Sequence, residues 1–262
     1  MDYTAYRPAQ FKEDMQIKMP PKYQELTPME IMICTRKQLD FEAAKMMKLK
    51  FDAPEKFMAW LKAQTGKKEN TMYLFFDTET TGLPKNWKAP ITDTDNWPRL
   101  VQLAWLAYDA EGNQVAGENA IIKPQGFEIP EAVAKIHGIT TDKAMFEGKP
   151  LEVVMALFRQ RIEQAEILVG HNISFDTNII GAEFVRLGIP PVTPPRRKIC
   201  TMMSSTRYCA LPGRCGPKWP KLQELHNKLF SENFAEAHNA AADIGATARC
   251  FFELKRLGVI TV

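Results

Sequence analysis

The sequence predicts an α/β fold, in which a mixed five-stranded sheet is flanked by helices and preceded by a small helical appendage. Three apolar runs separated by short links lie between residues 73 and 122, which indicates an antiparallel meander. Apolar runs then alternate with segments of helical periodicity up to residue 257, which indicates further strands followed by helices. A polar linker at 67–70 divides the chain into an appendage, residues 1–70, and a main domain, residues 71–262.

The elements of the main domain follow from periodicity and from Pro and Gly boundaries. Strands are expected from residue 73 onwards and at 99–108, 114–122, 167–169 and 198–201. Helices are expected at 130–137, 150–164, 175–187, 221–230 and 238–257. In the appendage, Thr27 followed by Pro28 and Glu30 is typical of a helix start, and two further helices are expected at 41–49 and 52–66.

Composition limits the class of protein. The 262 residues are 45% hydrophobic and 25% charged, and no apolar run approaches the ~18 residues of a membrane-spanning helix. The five cysteines are scattered, which suits a reducing, cytoplasmic location. A zinc site is an alternative for the set Cys200, Cys209, Cys215 and His226. The absence of a Cys-x-x-Cys pair favours free thiols.

Charge is unevenly distributed along the chain. Residues 71–184 carry 9 basic and 16 acidic side chains, whereas residues 185–228 carry 9 basic and 1 acidic. An acidic portion beside a basic one suits a metal site that must also hold a polyanion, although a solvated basic loop would show the same pattern. The candidates for contact with backbone phosphates are Arg196, Arg197, Lys198 and Arg207.

The most informative stretch is 72–84. An apolar strand leads into Asp77 and Glu79, whose spacing of two places both carboxylates on one face of a strand. Two buried carboxylates repel each other, and a hard cation such as Mg²⁺ or Mn²⁺ between them relieves the repulsion. Gly82 then permits a sharp turn. Taken alone, the pattern also fits a strand end with two solvated acids.

Two further acids lie at the beginnings of helices. Asp176 is expected in the first turn of a helix that follows a strand, where the helix dipole favours its charge. His238 and Asp243 begin the last long helix and lie ~140° apart around it, so both can border one cleft. Small residues on this helix would let it approach the sheet closely: Ala240, Ala241, Ala242, Gly245 and Ala246.

The order Asp-x-Glu, His-Asn-x-x-Phe-Asp and His-x-x-x-x-Asp resembles the DEDDh, or DnaQ-like, 3′–5′ exonucleases, which have a ribonuclease H-like fold. The segment 136–140, Ile-His-Gly-Ile-Thr, is also similar to that family. Two features depart from the family pattern: Cys200 stands where members often have Asp, and the insertion 85–98 is longer than usual.

The resemblance implies a two-metal reaction at nucleic-acid 3′ ends. The residues implied to hold two Mg²⁺ or Mn²⁺ ions are Asp77, Glu79, Asp176 and Asp243. One ion would activate a water, the other would stabilise the leaving 3′ oxygen, and neutral His238 would accept the proton. The residues implied to bind the substrate are Thr80, Leu83, His171 and Phe175.

Three functions stay open at this point. The first is a 3′–5′ exonuclease on single-stranded DNA ends, in repair or proofreading, and the second is the same chemistry on RNA 3′ ends. The third is an inactive exonuclease-like module that tethers a polymerase through residues 1–70. The presence of all four acids and of His238 favours the enzyme. DNA and RNA are distinguished by contacts to the 2′-hydroxyl, which the sequence does not reveal.

Overall fold

The computed structural model describes residues 72–190, 197–234 and 239–262. The predicted appendage, its three helices and the boundary at residue 70 lie outside the described residues. So do Arg196 and His238. Within the described part, no helix is long and apolar enough to cross a membrane.

A five-stranded mixed sheet forms the centre of the domain, as predicted. Its strands are β1 (Tyr73–Thr80), β2 (Leu100–Tyr108), β3 (Gln114–Ile121), β4 (Ile167–Gly170) and β5 (Arg197–Cys200). The order across the sheet is β3-β2-β1-β4-β5. The first three strands form the antiparallel meander, while β4 runs parallel to β1 and β5 parallel to β4. The carboxyl ends of β1, β4 and β5 therefore meet at one edge of the sheet.

Seven helices are numbered here within the described residues. They are α1 (Glu131–His137), α2 (Thr141–Glu147), α3 (Leu151–Gln164), α4 (Ile173–Arg186), α5 (Thr201–Cys209), α6 (Leu222–Phe230) and α7 (Ala240–Arg256). Five of them match predicted helices, with ends that differ by up to two residues. Helices α2 and α5 were not predicted.

Helix α5 corrects the prediction for the last strand. The strand ends at Cys200, and Thr201 already belongs to the helix. The buried positions of α5 are Thr201, Ser205 and Cys209, spaced four apart, and the Ser205 hydroxyl donates to the Thr201 carbonyl at 2.7 Å. Because this buried stripe consists of small polar residues and a cysteine, it lacks the apolar periodicity by which a helix is recognised.

The alternating side chains of β1 supply both halves of the core. Leu74 and Phe76 face the layer of α3 and α4, where Phe76 packs against Phe158 with ring centroids 5.2 Å apart. Tyr73 and Phe75 face the opposite layer, with α7, and belong to a second cluster. Since the strand continues in the same alternation, Asp77 and Glu79 point to the side of α7, and Thr78 points to the side of α4.

Candidate active site

The carboxylates of β1 form an acidic cluster with the last helix. Single carboxylate oxygens of Asp77, Glu79 and Asp243 lie within 4.8 Å of one another. Both acids of β1 are on the α7 side of the sheet, as the spacing of two predicts. Gly82, which begins the turn after β1, adopts a φ of 151°. The sharp turn therefore uses the conformational freedom expected of a glycine at this position.

Close packing of α7 on the sheet brings Asp243 to β1. Ala240 is fully buried and packs with Ile244 against Ala104 of β2. Asn239 caps the helix, since its side chain accepts a hydrogen bond from the Ala241 amide at 3.0 Å. Of the small residues predicted to allow a close approach, Ala240 has that role where it meets Ala104. Gly245 does not, since it is exposed and a methyl group on it would have no neighbour within 4 Å. Asp243 lies in the first turn of this helix.

Asp176 reaches the same centre from the other side of the sheet. It lies in the first turn of α4 and is 3% exposed. Its Oδ1 accepts hydrogen bonds from the hydroxyl of Thr78 at 2.7 Å and from the amide of Thr78 at 3.1 Å. Thr78, which stands between Asp77 and Glu79, therefore fixes the position of the acid on the opposite layer.

Burial and mutual repulsion make these acids reluctant to ionise. Burial, reinforced by the charges of Asp176, Asp243 and Glu79, raises the pKa of Asp77 well above its usual value. Burial, reinforced by the charges of Asp243 and Asp176, raises the pKa of Glu79 to about 8. Burial also raises the pKa of Asp176 to about 7, against the opposing effect of the hydrogen bonds from Thr78.

These acids fit a hard divalent cation. In the described part of the chain, no lysine or arginine forms an ion pair with Asp77, Glu79 or Asp176. Buried carboxylates with raised pKa values and no basic partner gain most from a cation that replaces the missing positive charge. Carboxylate oxygens are also the ligands that Mg²⁺ and Mn²⁺ prefer. The donor set and its electrostatics therefore suit the predicted metal.

His171, predicted to bind substrate, is engaged by the protein at both ring nitrogens. Nε2 lies 3.0 Å from the carbonyl of Pro220, and Nδ1 lies 3.0 Å from the hydroxyl of Thr201. Because a carbonyl can only accept, Nε2 carries the proton and Nδ1 accepts from Thr201. Burial lowers the pKa of His171 to about 4, so the ring is neutral near pH 7. His171 and Asp243 line one cavity of about 410 Å³, and contact of His171 with substrate stays a prediction.

The three residues predicted to hold the terminal nucleotide lie near the acids in the chain. Thr80 is buried, and its hydroxyl donates to the carbonyl of Gly82 at 2.7 Å. Leu83 is 73% exposed, although it is a large apolar side chain. Phe175 packs partly against the core and also contacts Trp87, with ring centroids 5.7 Å apart. Leu83 and Phe175 are therefore available apolar surface next to the acids in sequence, and their contact with a nucleotide stays a prediction.

The described basic candidates lie away from the acidic cluster. Arg197 begins β5, at the end of the sheet opposite the acids, and donates to the carbonyl of Thr261 at 2.6 Å. Lys198 follows it and shares a surface crevice with the same C-terminal segment. Arg207 is in the last turn of α5 and is exposed. The structure does not bring these residues together with the acids, and their contact with phosphates stays a prediction.

Alternative zinc ligation is not supported in the described part of the chain. Cys200, Cys209 and Cys215 are free thiols, as expected. His226 instead packs between the rings of Phe230 and Phe234, and its Nδ1 contacts the carbonyl of Glu232. Among the described residues, the acidic cluster is the group of side chains close enough together to hold a metal ion.

Three residues at this site were not identified from the sequence. Thr78 could have been found, because strand alternation directs it toward the helix that carries Asp176. Gln102 of β2 accepts from the Ala240 amide at 3.4 Å and so ties α7 to the sheet, but nothing local distinguishes it. Trp87 contacts Phe175 from the insertion 85–98, and the only sequence signal was a tryptophan in a polar loop.

Comparisons with known proteins agree with this arrangement. The curated protein DNA polymerase III PolC-type of Lactococcus lactis is 33% identical over 123 residues, which are 47% of this chain and 7% of that protein. The PolC-type polymerase of Streptococcus sanguinis is likewise 33% identical over 123 residues, covering 47% of this chain and 8% of the relative. The chain thus spans less than a tenth of the curated relatives it matches.

Solved structures show the same fold. Exonuclease I aligns with a TM-score of 0.57 and 22% identity, over 71% of this chain and 41% of that chain. Exonuclease I of E. coli in complex with a dT13 oligonucleotide aligns with a TM-score of 0.56 and 21% identity, over 72% and 42%. At this identity the likeness concerns the fold, and it confirms the ribonuclease H-like architecture.

The family assignment is based on the sequence as a whole. The family model named RNase T and described as exonuclease matches residues 74–251, which include β1 with its two acids, Asp176 and Asp243. The match covers more than half of the chain, and its acids are those that the structure gathers at one edge of the sheet. The chain therefore belongs to the RNase T exonuclease family, of the DEDDh or DnaQ-like type.

Proposed function

We propose that this chain is a 3′–5′ exonuclease that hydrolyses single-stranded DNA ends to nucleoside 5′-monophosphates. The observation that carries the proposal is the partly buried cluster of Asp77, Glu79 and Asp243, with the buried Asp176 bonded to Thr78, which stands between the two acids of β1. Such a cluster costs folding stability unless a cation is bound, so it is better explained by chemistry than by structure.

The acids have the role of holding metal. Asp77, Glu79, Asp176 and Asp243 would hold two Mg²⁺ or Mn²⁺ ions, which when bound polarise the scissile phosphodiester and offset the charge that develops on it. Thr78 keeps Asp176 in position through the hydrogen bonds to its Oδ1. The neutral imidazole of His238, which belongs to the His-x-x-x-x-Asp motif, accepts the proton of the attacking water.

The apolar residues after β1 would hold the end of the strand. Leu83 and Phe175 offer contact surface without hydrogen-bonding groups, so they can pack against any base. Stacking and packing of this kind discriminate weakly among bases, and we therefore propose weak sequence preference.

DNA is the proposed substrate because the relatives and structural neighbours of this chain act on or bind DNA by their names. The curated relatives are named as DNA polymerases, and exonuclease I has been solved with deoxyoligonucleotides. A role in proofreading or repair, with a polymerase partner bound through residues 1–70, extends the same reasoning. RNA ends are the alternative that the test must separate.

The test uses the full chain with matched 5′-labelled substrates: single- and double-stranded DNA and single- and double-stranded RNA. We expect a ladder that shortens from the 3′ end of single-stranded DNA with Mg²⁺ or Mn²⁺ and stops in chelator. Asp77→Asn should reduce turnover by several orders of magnitude, because an amide cannot balance the cations. Glu166→Gln is the matched acid-to-amide control, since Glu166 is exposed and directly precedes β4.

Three outcomes would count against parts of the proposal. Faster shortening of RNA than of DNA would show that RNA is the substrate, with the proposed reaction unchanged. Full activity in chelator would show that the reaction does not need a metal ion. The absence of any product with either metal would leave the chain as a binding module of exonuclease fold.

A further inference from the structure

The insertion between β1 and β2, residues 85–98, is called the strap here. A polar loop of this length is usually adaptable, yet this one is tied together at its ends. The Asn86 amide donates to Oδ1 of Asn96 at 2.6 Å, and Nδ2 of Asn96 donates back to the Asn86 carbonyl at 3.0 Å. The indole nitrogen of Trp97, a core residue, donates to the Pro90 carbonyl at 3.0 Å. The strap is therefore a closed, hydrogen-bonded loop.

The strap is also attached to α4, the helix that carries Asp176. Arg186 donates from its guanidinium to the carbonyls of Thr94 and Trp97. Ile91 packs so closely on Gly181 that a methyl group on that glycine would lie 3.0 Å from Ile91 Cδ1. The strap and the helix of Asp176 are thereby held in one arrangement.

This attachment holds Trp87 next to the predicted nucleotide pocket. Trp87 follows the clamped residue Asn86, and its ring centroid is 5.7 Å from that of Phe175. Phe175 immediately precedes Asp176 in α4. Trp87 is still 55% exposed after this contact, and Leu83 is 73% exposed. Trp87 and Phe175 thus form an open aromatic surface at the start of the helix that carries Asp176, and Leu83 is exposed in the turn after β1.

The size and chemistry of this surface indicate its occupant. Three side chains provide too little area for a protein interface, which normally buries more than ~1,000 Å². A single planar ring without a required hydrogen-bond pattern fits such a surface, and every nucleobase has one. The neighbouring acids, with their fit to a cation, are where the phosphodiester of that same nucleotide would react.

We propose that Trp87 is a base-stacking residue of this enzyme, which binds the base of the 3′-terminal nucleotide together with Phe175 and Leu83. The inference rests on the proposed exonuclease function and names a binding residue that the DEDDh motifs do not contain.

A binding measurement tests the contact directly. The full chain carrying Asp77→Asn, which leaves the oligonucleotide intact, is titrated against single-stranded DNA with 2-aminopurine at the 3′ end. We expect quenching of the 2-aminopurine fluorescence on binding, and a loss of that quenching when Trp87→Ala is added. An oligonucleotide with 2-aminopurine six positions from the end should show the same signal in both proteins. Equal quenching at the 3′ end with and without Trp87 would overturn the proposal.

Kinetics on the active protein give an independent result. Trp87→Ala should raise KM about tenfold, the value of one base stacked on an aromatic ring, while Trp87→Phe should restore most of the affinity. With a 3′-terminal abasic nucleotide, wild type and Trp87→Ala should have the same KM. Phe146→Ala, which removes an exposed aromatic side chain of α2, is the control and should leave KM unchanged.

The two proposals fail in different ways. If the wild-type chain degrades no nucleic acid, the proposed function is wrong. If it degrades single-stranded DNA but Trp87→Ala has an unchanged melting temperature and an unchanged KM, the stacking role alone is wrong. An unequal effect of Trp87→Ala on substrates with and without the terminal base supports the contact even if the variant is somewhat less stable.

Discussion

At the residue scale, the carboxylates of the acidic cluster combine burial with mutual repulsion. Asp77, Glu79 and Asp176 all have raised pKa values because the sheet and its two helix layers remove them from water. A pKa that is raised on folding makes the free energy of unfolding depend on pH. A bound cation would compete with protons for the same carboxylate oxygens. The metal and the pH should consequently affect stability together.

The first prediction concerns metal-free protein between pH 6.5 and pH 8. The folded pKa of Glu79 is about 8 and that of Asp176 about 7, far above their ordinary values of 4.5 and 3.8. In this window the folded state holds more protons than the unfolded state, so the free energy of unfolding should fall as pH rises. Mg²⁺ should therefore raise the melting temperature more at pH 8 than at pH 6.5.

The measurement is a series of thermal unfolding curves in chelator and in Mg²⁺. The window begins at pH 6.5 because of His171, whose pKa is lowered from 6.5 to about 4 in the folded protein. Between these two values the unfolded state binds more protons, so the free energy of unfolding rises with pH there. Asp77→Asn should lose most of the Mg²⁺ effect, whereas Glu166→Gln should keep it. A Mg²⁺ effect that is equal at both pH values would contradict the assignment of these acids as the metal site.

The second prediction separates His238 from the acids. If His238 is the proton acceptor, His238→Ala should lower kcat by roughly 10²–10⁴-fold, with KM and the Mg²⁺ midpoint near their wild-type values. The rising limb of the wild-type rate with pH should be lost, because only the neutral imidazole accepts a proton. A shifted Mg²⁺ midpoint would instead identify a metal ligand. A lower melting temperature with modest kinetic loss would identify a structural residue.

At the scale of elements, the site depends on one strand that serves two layers. β1 sends Asp77 and Glu79 toward α7 and Thr78 toward α4, so a register shift of one residue would exchange the acids with the residue that holds Asp176. The strap is also attached to α4, because Arg186 of α4 donates hydrogen bonds to the backbone of the strap. The same guanidinium forms an ion pair with Glu183 of α4.

The third prediction tests that attachment. Glu183 is fully buried, and its Oε1 accepts from Arg186, from Arg99 and from the Leu100 amide. Arg186→Met should lower the free energy of unfolding by about 2 kcal/mol, because the Thr94 and Trp97 carbonyls lose their donor and the buried Glu183 keeps only Arg99 as a basic partner. Arg256→Met, which removes the exposed pair with Glu253, should cost under about 1 kcal/mol. Urea unfolding measures both, and equal losses would show that the strap is not anchored by Arg186.

At the scale of the whole molecule, the acidic cluster and the basic residues of β5 are separated. The acidic cluster is at the carboxyl ends of the parallel strands, while Arg197 and Lys198 are at the opposite end of β5. The four residues of this strand span about 10 Å from Arg197 to Cys200. We therefore expect a strand longer than a dinucleotide to be needed for contact with both the acids and these charges.

The fourth prediction concerns salt. Neutralising Arg196, Arg197, Lys198 and Arg207 together should raise KM for long single strands and flatten its dependence on salt, because fewer counterions are released on binding. Turnover of a dinucleotide should change little. KM values measured between 50 and ~200 mM salt decide the matter. An unchanged slope with long strands would identify the segment as a solvated loop.

Much of this protein could be read from the sequence by local rules. Strand alternation placed Asp77 and Glu79 on one face, helix starts placed Asp176 in a first turn and Asp243 near the beginning of the last helix, and the spacing of apolar runs predicted the meander and the mixed sheet. These succeed because each depends on periods of 2 or ~3.6 residues, which the order of side chains encodes directly. The order of the acids then identified the family, which the match over residues 74–251 confirms.

Tertiary structure alone decided which distant residues meet. Thr78 and Asp176 are 98 positions apart, and Trp87 and Phe175 come together only because the strap folds back on α4. Helix α5 was missed because Thr201, Ser205 and Cys209 bury a stripe that is not apolar, and Arg197 lies away from the acids because β5 runs parallel to β4. Contacts across layers depend on strand order and register, which are set by the packing of the whole core rather than by any local period.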